Sequence, residues 1–236
     1  MAIETLTETF HRQGYCILPD PLTEAELRDL TAAVDTLLGE AVDDGGGRYH
    51  DIGRGEDRRF LRLRHEDFPA VEAFLMGDRM RSLATALVGP TPHLFVEQFV
   101  VKGPHSGASF AWHQDGGYVG FEHQPYVTFW IALDPATEEN GCVYILPRDL
   151  DRQPEIEPHR WDEANKEKVG YEGDEQGIPI ECPAGTIVAF SSLTLHRSGA
   201  NTTNRRRRAY ICQYSPEPMI DPATGKQRHF AKPLAA

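Results

Sequence analysis

Long apolar runs, a leader-type amino terminus, paired cysteines and an excess of basic charge are all missing from this chain of 236 residues. No stretch approaches the roughly 20 consecutive apolar residues that a membrane-spanning helix needs, so no membrane partner is expected. The opening Met1-Ala2-Ile3-Glu4-Thr5-Leu6-Thr7-Glu8 is acidic and lacks the basic-then-apolar pattern of a secretory leader. A cytoplasmic location is expected. Cys16, Cys142, Cys182 and Cys212 lack paired spacing and read as buried thiols rather than a disulfide frame or zinc clip. Thirty-six acidic against 24 basic residues leave a net charge of −12. Phosphate contacts are made mainly by lysine and arginine, so nucleic acid is not an expected partner. No internal repeat or low-complexity tract is present.

What is there fits one globular domain over 1–236, with 40% hydrophobic and 25% charged residues. Thr23 with Glu26 makes a capping box, and Leu27, Leu30, Val34, Leu37 and Leu38 then recur at helical spacing until Gly39. A short helix over 4–13, a buried strand at Tyr15–Leu18 ended by Pro19, two helices over 68–88 and a connection at Asp43–Gly47 complete a mainly helical amino-terminal part, 1–90. Strand-like runs follow at His93–Lys102, Tyr126–Leu133, Ile178–Cys182, Thr186–Phe190 and Ala209–Tyr214. Glu138–Gly141 reads as a hairpin turn that returns as Cys142–Leu146. Residues 147–177 are polar and aperiodic, which suggests a lid on the substrate side. Ser215-Pro216-Glu217-Pro218 ends the expected core of 91–216.

The chemistry concentrates in Trp112-His113-Gln114-Asp115-Gly116-Gly117 and in Leu195-His196-Arg197-Ser198-Gly199. His113, Asp115 and His196 supply two imidazoles and one carboxylate, the set that holds non-haem ferrous iron on one face and leaves positions open. Neighbouring strands of a double-sheet roll can be far apart in sequence, so the long gap before His196 is no obstacle. The other eight histidines are read as structural. Tyr118 and Phe121 are candidates for an aromatic lid, and Phe110 and Trp112 stand close to the motif.

These runs, with Val127–Asp134, Glu138–Tyr144, His196–Asn201 and the opening Gly14–Pro19, resemble the phytanoyl-CoA dioxygenase family. The resemblance implies a mostly β fold with flanking helices around a double-stranded β-helix (jelly-roll, cupin-like) core. It also implies an enzyme that uses Fe(II), 2-oxoglutarate and O2. Such an enzyme hydroxylates a C–H bond of a small or medium-sized organic substrate and releases succinate and CO2. Arg207 lies 11 positions after His196, where relatives place the arginine that binds the cosubstrate's far carboxylate. Ser198 resembles a second ligand for that carboxylate, Trp130 a wall of the same pocket or a core tryptophan, and Gln98 a polar lining residue. Arg62 is the member of the arginine-rich run 48–64 expected to point inward and touch the cosubstrate; the rest of that run, and the neighbours of Arg207, read as solvated charge. Asp115 argues against halogenation, because halogenating relatives carry a small residue there.

Two other readings stay open. One is a cupin-like metal-dependent isomerase or hydrolase without 2-oxoglutarate, which would have no need for Arg207 and Ser198. The other is a silent binding module, against which the complete triad counts. A small molecule is the expected partner, and a monomer or homodimer the expected state.

Overall fold

Two antiparallel sheets face one another in a computed structural model that describes residues 3–18, 21–39 and 57–234. The elements run α1 (Ile3–Gln13), β1 (Tyr15–Ile17), α2 (Glu24–Gly39), β2 (Arg58–Arg62), α3 (Pro69–Met76), α4 (Asp78–Val88), β3 (His93–Lys102), β4 (Phe110–His113), β5 (Val127–Ala132), β6 (Val143–Ile145), β7 (Arg160–Asp162), β8 (Glu167–Val169), β9 (Ile178–Pro179), β10 (Ile187–Ser191), β11 (His196–Ser198), β12 (Arg207–Ser215) and β13 (Lys232–Pro233). The larger sheet has the order β1-β10-β5-β12-β3, with β2 and β13 both on the outer edge of β3; the smaller has the order β4-β11-β6-β9. This is the expected jelly-roll, with helices on one side.

Period-two alternation decides which side. Val127, Phe129 and Ile131 of β5 join Leu30, Val34, Leu37, Leu75 and Met80 in one core under the helices. Trp130 and Ala132, on the opposite face, join Val143, Ile145 and Ile180 of the smaller sheet in a second core between the sheets. Successive side chains of a strand point to opposite faces, so one strand serves both. The capping box forms as expected: Thr23 Oγ1 accepts from Glu26 N at 3.2 Å, and Glu26 Oε2 accepts from Thr23 N at 2.8 Å.

The expected strand at 15–18 is present as β1, paired with β10. Three expectations are corrected. The rest of the amino-terminal part is not purely helical, since β2 pairs with β3. Nor does order end near 216: Met219 and Leu234 are buried, Ile220 bridges Gln227, and β13 pairs with β3. Glu138–Gly141 is not a hairpin between β5 and β6, because β6 pairs with β11 and β9 in the other sheet. That turn instead carries the chain from one sheet to the other, with Asn140 Oδ1 accepting from Thr137 N and Gly141 at φ 80°. A Cβ at Gly141 would sit 2.4 Å from Gly199 O, so only glycine fits. The stretch 147–177, read as a lid on the substrate side, contains the β7–β8 hairpin. The connection at Asp43–Gly47, and the arginine-rich run as far as Glu56, lie outside the described residues.

Candidate metal centre and active-site cavity

β4 and β11 are neighbours, and their register sets His113 opposite His196 with ring centroids 4.1 Å apart. Each imidazole is oriented in the same way. His113 Nδ1 lies 2.8 Å from Ala111 O and His196 Nδ1 lies 3.0 Å from Thr194 O. A carbonyl can only accept, so both Nδ1 atoms carry the proton and both Nε2 lone pairs are free. Those lone pairs converge on Asp115, whose Oδ1 is 3.7 Å from His113 Nε2 and 3.6 Å from His196 Nε2. Burial, with repulsion from His196, holds the His113 pKa well below the usual histidine range, which keeps it a neutral ligand.

Asp115 is oriented too. Its Oδ2 accepts from Thr128 Oγ1 at 2.6 Å and from Gln213 Nε2 at 2.8 Å, leaving Oδ1 toward the imidazoles. Side chains that hold a ligand by its far atom tune affinity as well as geometry. The three ligand atoms all lie within 4.8 Å of one another, with nothing but cavity before them. Two neutral imidazoles and a carboxylate on one face fit ferrous iron with open positions, and a structural zinc site would need a fourth protein ligand.

The cavity next to the triad measures about 250 Å³. Arg207, Ser198, Trp130, Gln98 and Arg62 all line it, so every residue expected there is brought to one space. Arg207 is fully buried; its Nη2 donates to Gly141 O at 2.7 Å, its Nε has no hydrogen-bond partner, and its guanidinium carbon lies 5.8 Å from the Trp130 ring centre. Burial lowers its pKa to about 10. Trp130 belongs both to the inter-sheet core and to the cavity wall. Arg208 is not solvated charge on an edge. It reaches both oxygens of Asp134, at 2.7 and 2.9 Å, from a strand in the middle of the sheet. Tyr118 lines the cavity, edge-on to His113 at 5.6 Å, whereas Phe121 and Trp112 do not line it.

Several residues went unnoticed in the sequence. Lys102, opposite Arg207 in the register, is buried beside it and donates to Ala108 O at 3.1 Å and to Gly199 O. Burial, then Arg207 and Arg58, push its pKa well below the usual lysine value. Arg58, expected to be solvated, is instead buried against Glu167 at 2.7 Å, because that acid reaches it from β8. Glu167 also accepts from Ala111 N at 3.0 Å, Lys168 N donates to Tyr118 Oη at 2.7 Å, and Gln114 N donates to His159 Nε2 at 3.0 Å. The segment 159–168 therefore braces the metal strand. The one available signal for Lys102, Thr128 and Gln213 is a polar residue within an apolar strand.

The model of the phytanoyl-CoA dioxygenase (PhyH) family matches residues 10–209. The chain belongs to the phytanoyl-CoA dioxygenase family. Relatives that match it are named as dioxygenases and hydroxylases. It is 30% identical over 178 residues to a 2-aminoethylphosphonate dioxygenase from uncultured bacterium HF130_AEPn_1, covering 71% of this chain and 64% of that one. The chain thus spans under two thirds of that relative's length. It is 28% identical to a methylphosphonate hydroxylase of Gimesia maris, covering 89% of this chain and 81% of that one. The fold matches that of EvdO2 from Micromonospora carbonacea var. aurantiaca complexed with 2-oxoglutarate, with a TM-score of 0.74 and 24% identity, over 99% of this chain and 92% of that one. Among the described residues, no helix of this family member is long and apolar enough to cross a membrane.

Proposed function

We propose that this oxygenase hydroxylates a C–H bond of a small organic molecule, with His113, Asp115 and His196 as the iron ligands and Arg207 as the anchor of 2-oxoglutarate. The observation that carries the reading is the buried Arg207 guanidinium, which among the described residues meets no carboxylate and faces the same cavity as the triad. Leaving a buried cation without a counter-ion costs several kcal/mol, and the far carboxylate of a dicarboxylic acid supplies one. Lys102 adds a second positive charge at the same level, and Ser198 and Trp130 border the space between them and the triad. Gln98 lies four residues along β3 from Lys102, roughly 13 Å at strand rise.

Iron(II), when bound, supplies the oxygen-activating chemistry. The chain's own residues do the rest. Asp115, held through its outer oxygen by Thr128 and Gln213, fixes the ligand face, and the two Nδ1–carbonyl bonds fix the imidazoles. Tyr118, Phe110 and Phe190 border the cavity with apolar surface that excludes water. A cavity of about 250 Å³ lies at or below the small end of ligand pockets, roughly 300–1,000 Å³, which favours a compact substrate. Anaerobic addition of iron(II) and 2-oxoglutarate should produce a weak visible charge-transfer band that neither gives alone, as expected for a keto acid chelated to a ferrous centre with open positions. A protein that binds iron(II) but gives no such band, and releases no succinate with any member of a metabolite panel, would refute the reading.

A further inference from the structure

The cavity's charge is at odds with that of the chain. Against a net −12, its lining carries Arg58, Arg62, Lys102, Lys166, Arg197, Arg207 and Arg228, and a single carboxylate, Asp115. Most of these have an answer. Arg58 is neutralised by Glu167, and Arg197 stacks on Tyr144 at 3.8 Å. Arg207 and Lys102 answer the far carboxylate of 2-oxoglutarate, and Lys166 is exposed to solvent. Two arginines remain. Arg62 has a buried Nε without a hydrogen-bond partner, and its Nη2 meets only the ring of His229, at 3.4 Å. Arg228 gives one Nη2 hydrogen to Tyr118 O at 2.8 Å. Among the described residues, no carboxylate lies within 4.0 Å of either guanidinium. Burial and then Arg228 lower the pKa of Arg62, against a smaller opposing effect of Glu97.

This pair is built rather than incidental. Arg62 sits on β2, in register with Gln98, four residues from the Arg58–Lys102–Arg207 row. Arg228 belongs to the segment beyond β12, whose backbone is pinned by Arg228 N to Met219 O at 2.7 Å and Phe230 N to Phe95 O at 3.0 Å. Between them His229 takes a left-handed φ of 57°, a strained backbone for a residue with a side chain. Phe95, Val96, Val119 and Tyr126 line the same end of the cavity as an apolar floor. Asp115 borders that end, through its bonds to Thr128 and Gln213.

We propose that Arg62 and Arg228 form an oxyanion site for the substrate, so that the molecule oxidised carries a carboxylate or phosphonate group joined by a short apolar stretch to the carbon presented to the metal. The proposal rests on the oxygenase reading for its account of Arg207 and Lys102. Two guanidinium groups at one end of a narrow cavity hold an anion in a fixed place, and a fixed head group determines which C–H bond reaches the triad.

The test is calorimetric titration of the anaerobic complex with iron(II) and 2-oxoglutarate. The probes are methylphosphonate, acetate, and dimethyl methylphosphonate as an uncharged control. At least one of the two anions should bind and the neutral ester should not, which also tells a phosphonate site from a carboxylate site. Arg62→Gln and Arg228→Gln should each weaken that binding at least tenfold while 2-oxoglutarate affinity stays within twofold, which also serves as the control for folding. Absence of binding by both anions, or equal binding by both variants, would overturn the site. So would an Arg62→Gln protein that loses 2-oxoglutarate affinity as Arg207→Gln does, since Arg62 would then belong to the cosubstrate. Failure of the wild type to bind 2-oxoglutarate, with Arg62-dependent methylphosphonate binding retained, would remove the oxygenase reading and leave the anion site supported.

Discussion

Replacing Arg207 by methionine should separate two quantities that fall together when a protein is merely damaged. The guanidinium is buried and has one bond to Gly141 O; among the described residues one of its nitrogens has no partner and no acidic side chain meets it. In the absence of cosubstrate it is a desolvated cation without a counter-ion, so an apolar residue of similar length should leave the fold no less stable. With 2-oxoglutarate the sign reverses. Truncating one member of a buried charge pair costs about 2–5 kcal/mol, and the neighbouring Lys102 keeps the loss near the lower end. A loss of about 2–3 kcal/mol raises the dissociation constant roughly 30- to 150-fold at about 1.4 kcal/mol per decade. Ligand stabilisation makes this visible. At a cosubstrate concentration about 100 times the wild-type constant, the wild type gains about 2.7 kcal/mol, and a variant that binds about 100-fold more weakly gains about 0.4 kcal/mol. For a chain of this size those gains correspond to shifts in Tm of roughly 5–10 °C and roughly 1 °C. Thermal melts with and without 2-oxoglutarate, in the presence of iron(II) and without oxygen, measure both. An unchanged ligand shift, or a variant that melts well below the wild type without ligand, would refute the reasoning.

Thr128→Val and Gln213→Leu each remove one bond from the outer oxygen of Asp115 and should weaken iron(II) about 10- to 100-fold in a chelator competition with the fold retained; unchanged affinity would show that Asp115 needs no support. Lys102 has its pKa lowered by burial, so the unfolded chain binds the proton more tightly than the native one. Stability of the protein without ligand should therefore rise with pH towards the ordinary lysine value and fall as pH drops below it, while 2-oxoglutarate affinity should decline as pH rises through the lowered value. Lys102→Met should flatten both profiles, and profiles identical to the wild type would contradict this account. Glu167→Gln leaves the buried Arg58 uncompensated and should cost about 3–5 kcal/mol, seen as a lower Tm and earlier proteolytic cleavage between β7 and β8. A melt within a degree of the wild type would show that the pair contributes little.

The sequence made some of this legible and withheld the rest for a physical reason. Thr23 and Glu26 announce a helix because both partners of the capping bonds lie within four residues. The run His93–Lys102 announces a strand through its own β-branched and aromatic side chains. His113, Asp115, His196 and Arg207 were readable as motifs and spacings, and all four face one cavity. Lys102, Thr128 and Gln213 were not, because each is a lone polar residue whose meaning depends on the strand beside it. Lys102 matters through its pairing with Arg207, and Gln213 through its pairing with Thr128. Likewise Glu138–Gly141 carries every local mark of a hairpin, and only the packing of two sheets turns it into a crossing.

The brace formed by residues 159–168 has an implication for engineering. His159, Glu167 and Lys168 grip the backbone of the metal strand and its loop from outside, while Trp161 and Lys166 of the same hairpin stand at the cavity mouth. One cassette thus carries both a structural clasp and a gatekeeping rim. A chimaera that imports this hairpin from another oxygenase should change which molecules pass the rim without disturbing the metal. It will do so only where the donor also brings an acid that reaches Arg58 and the amide of Ala111.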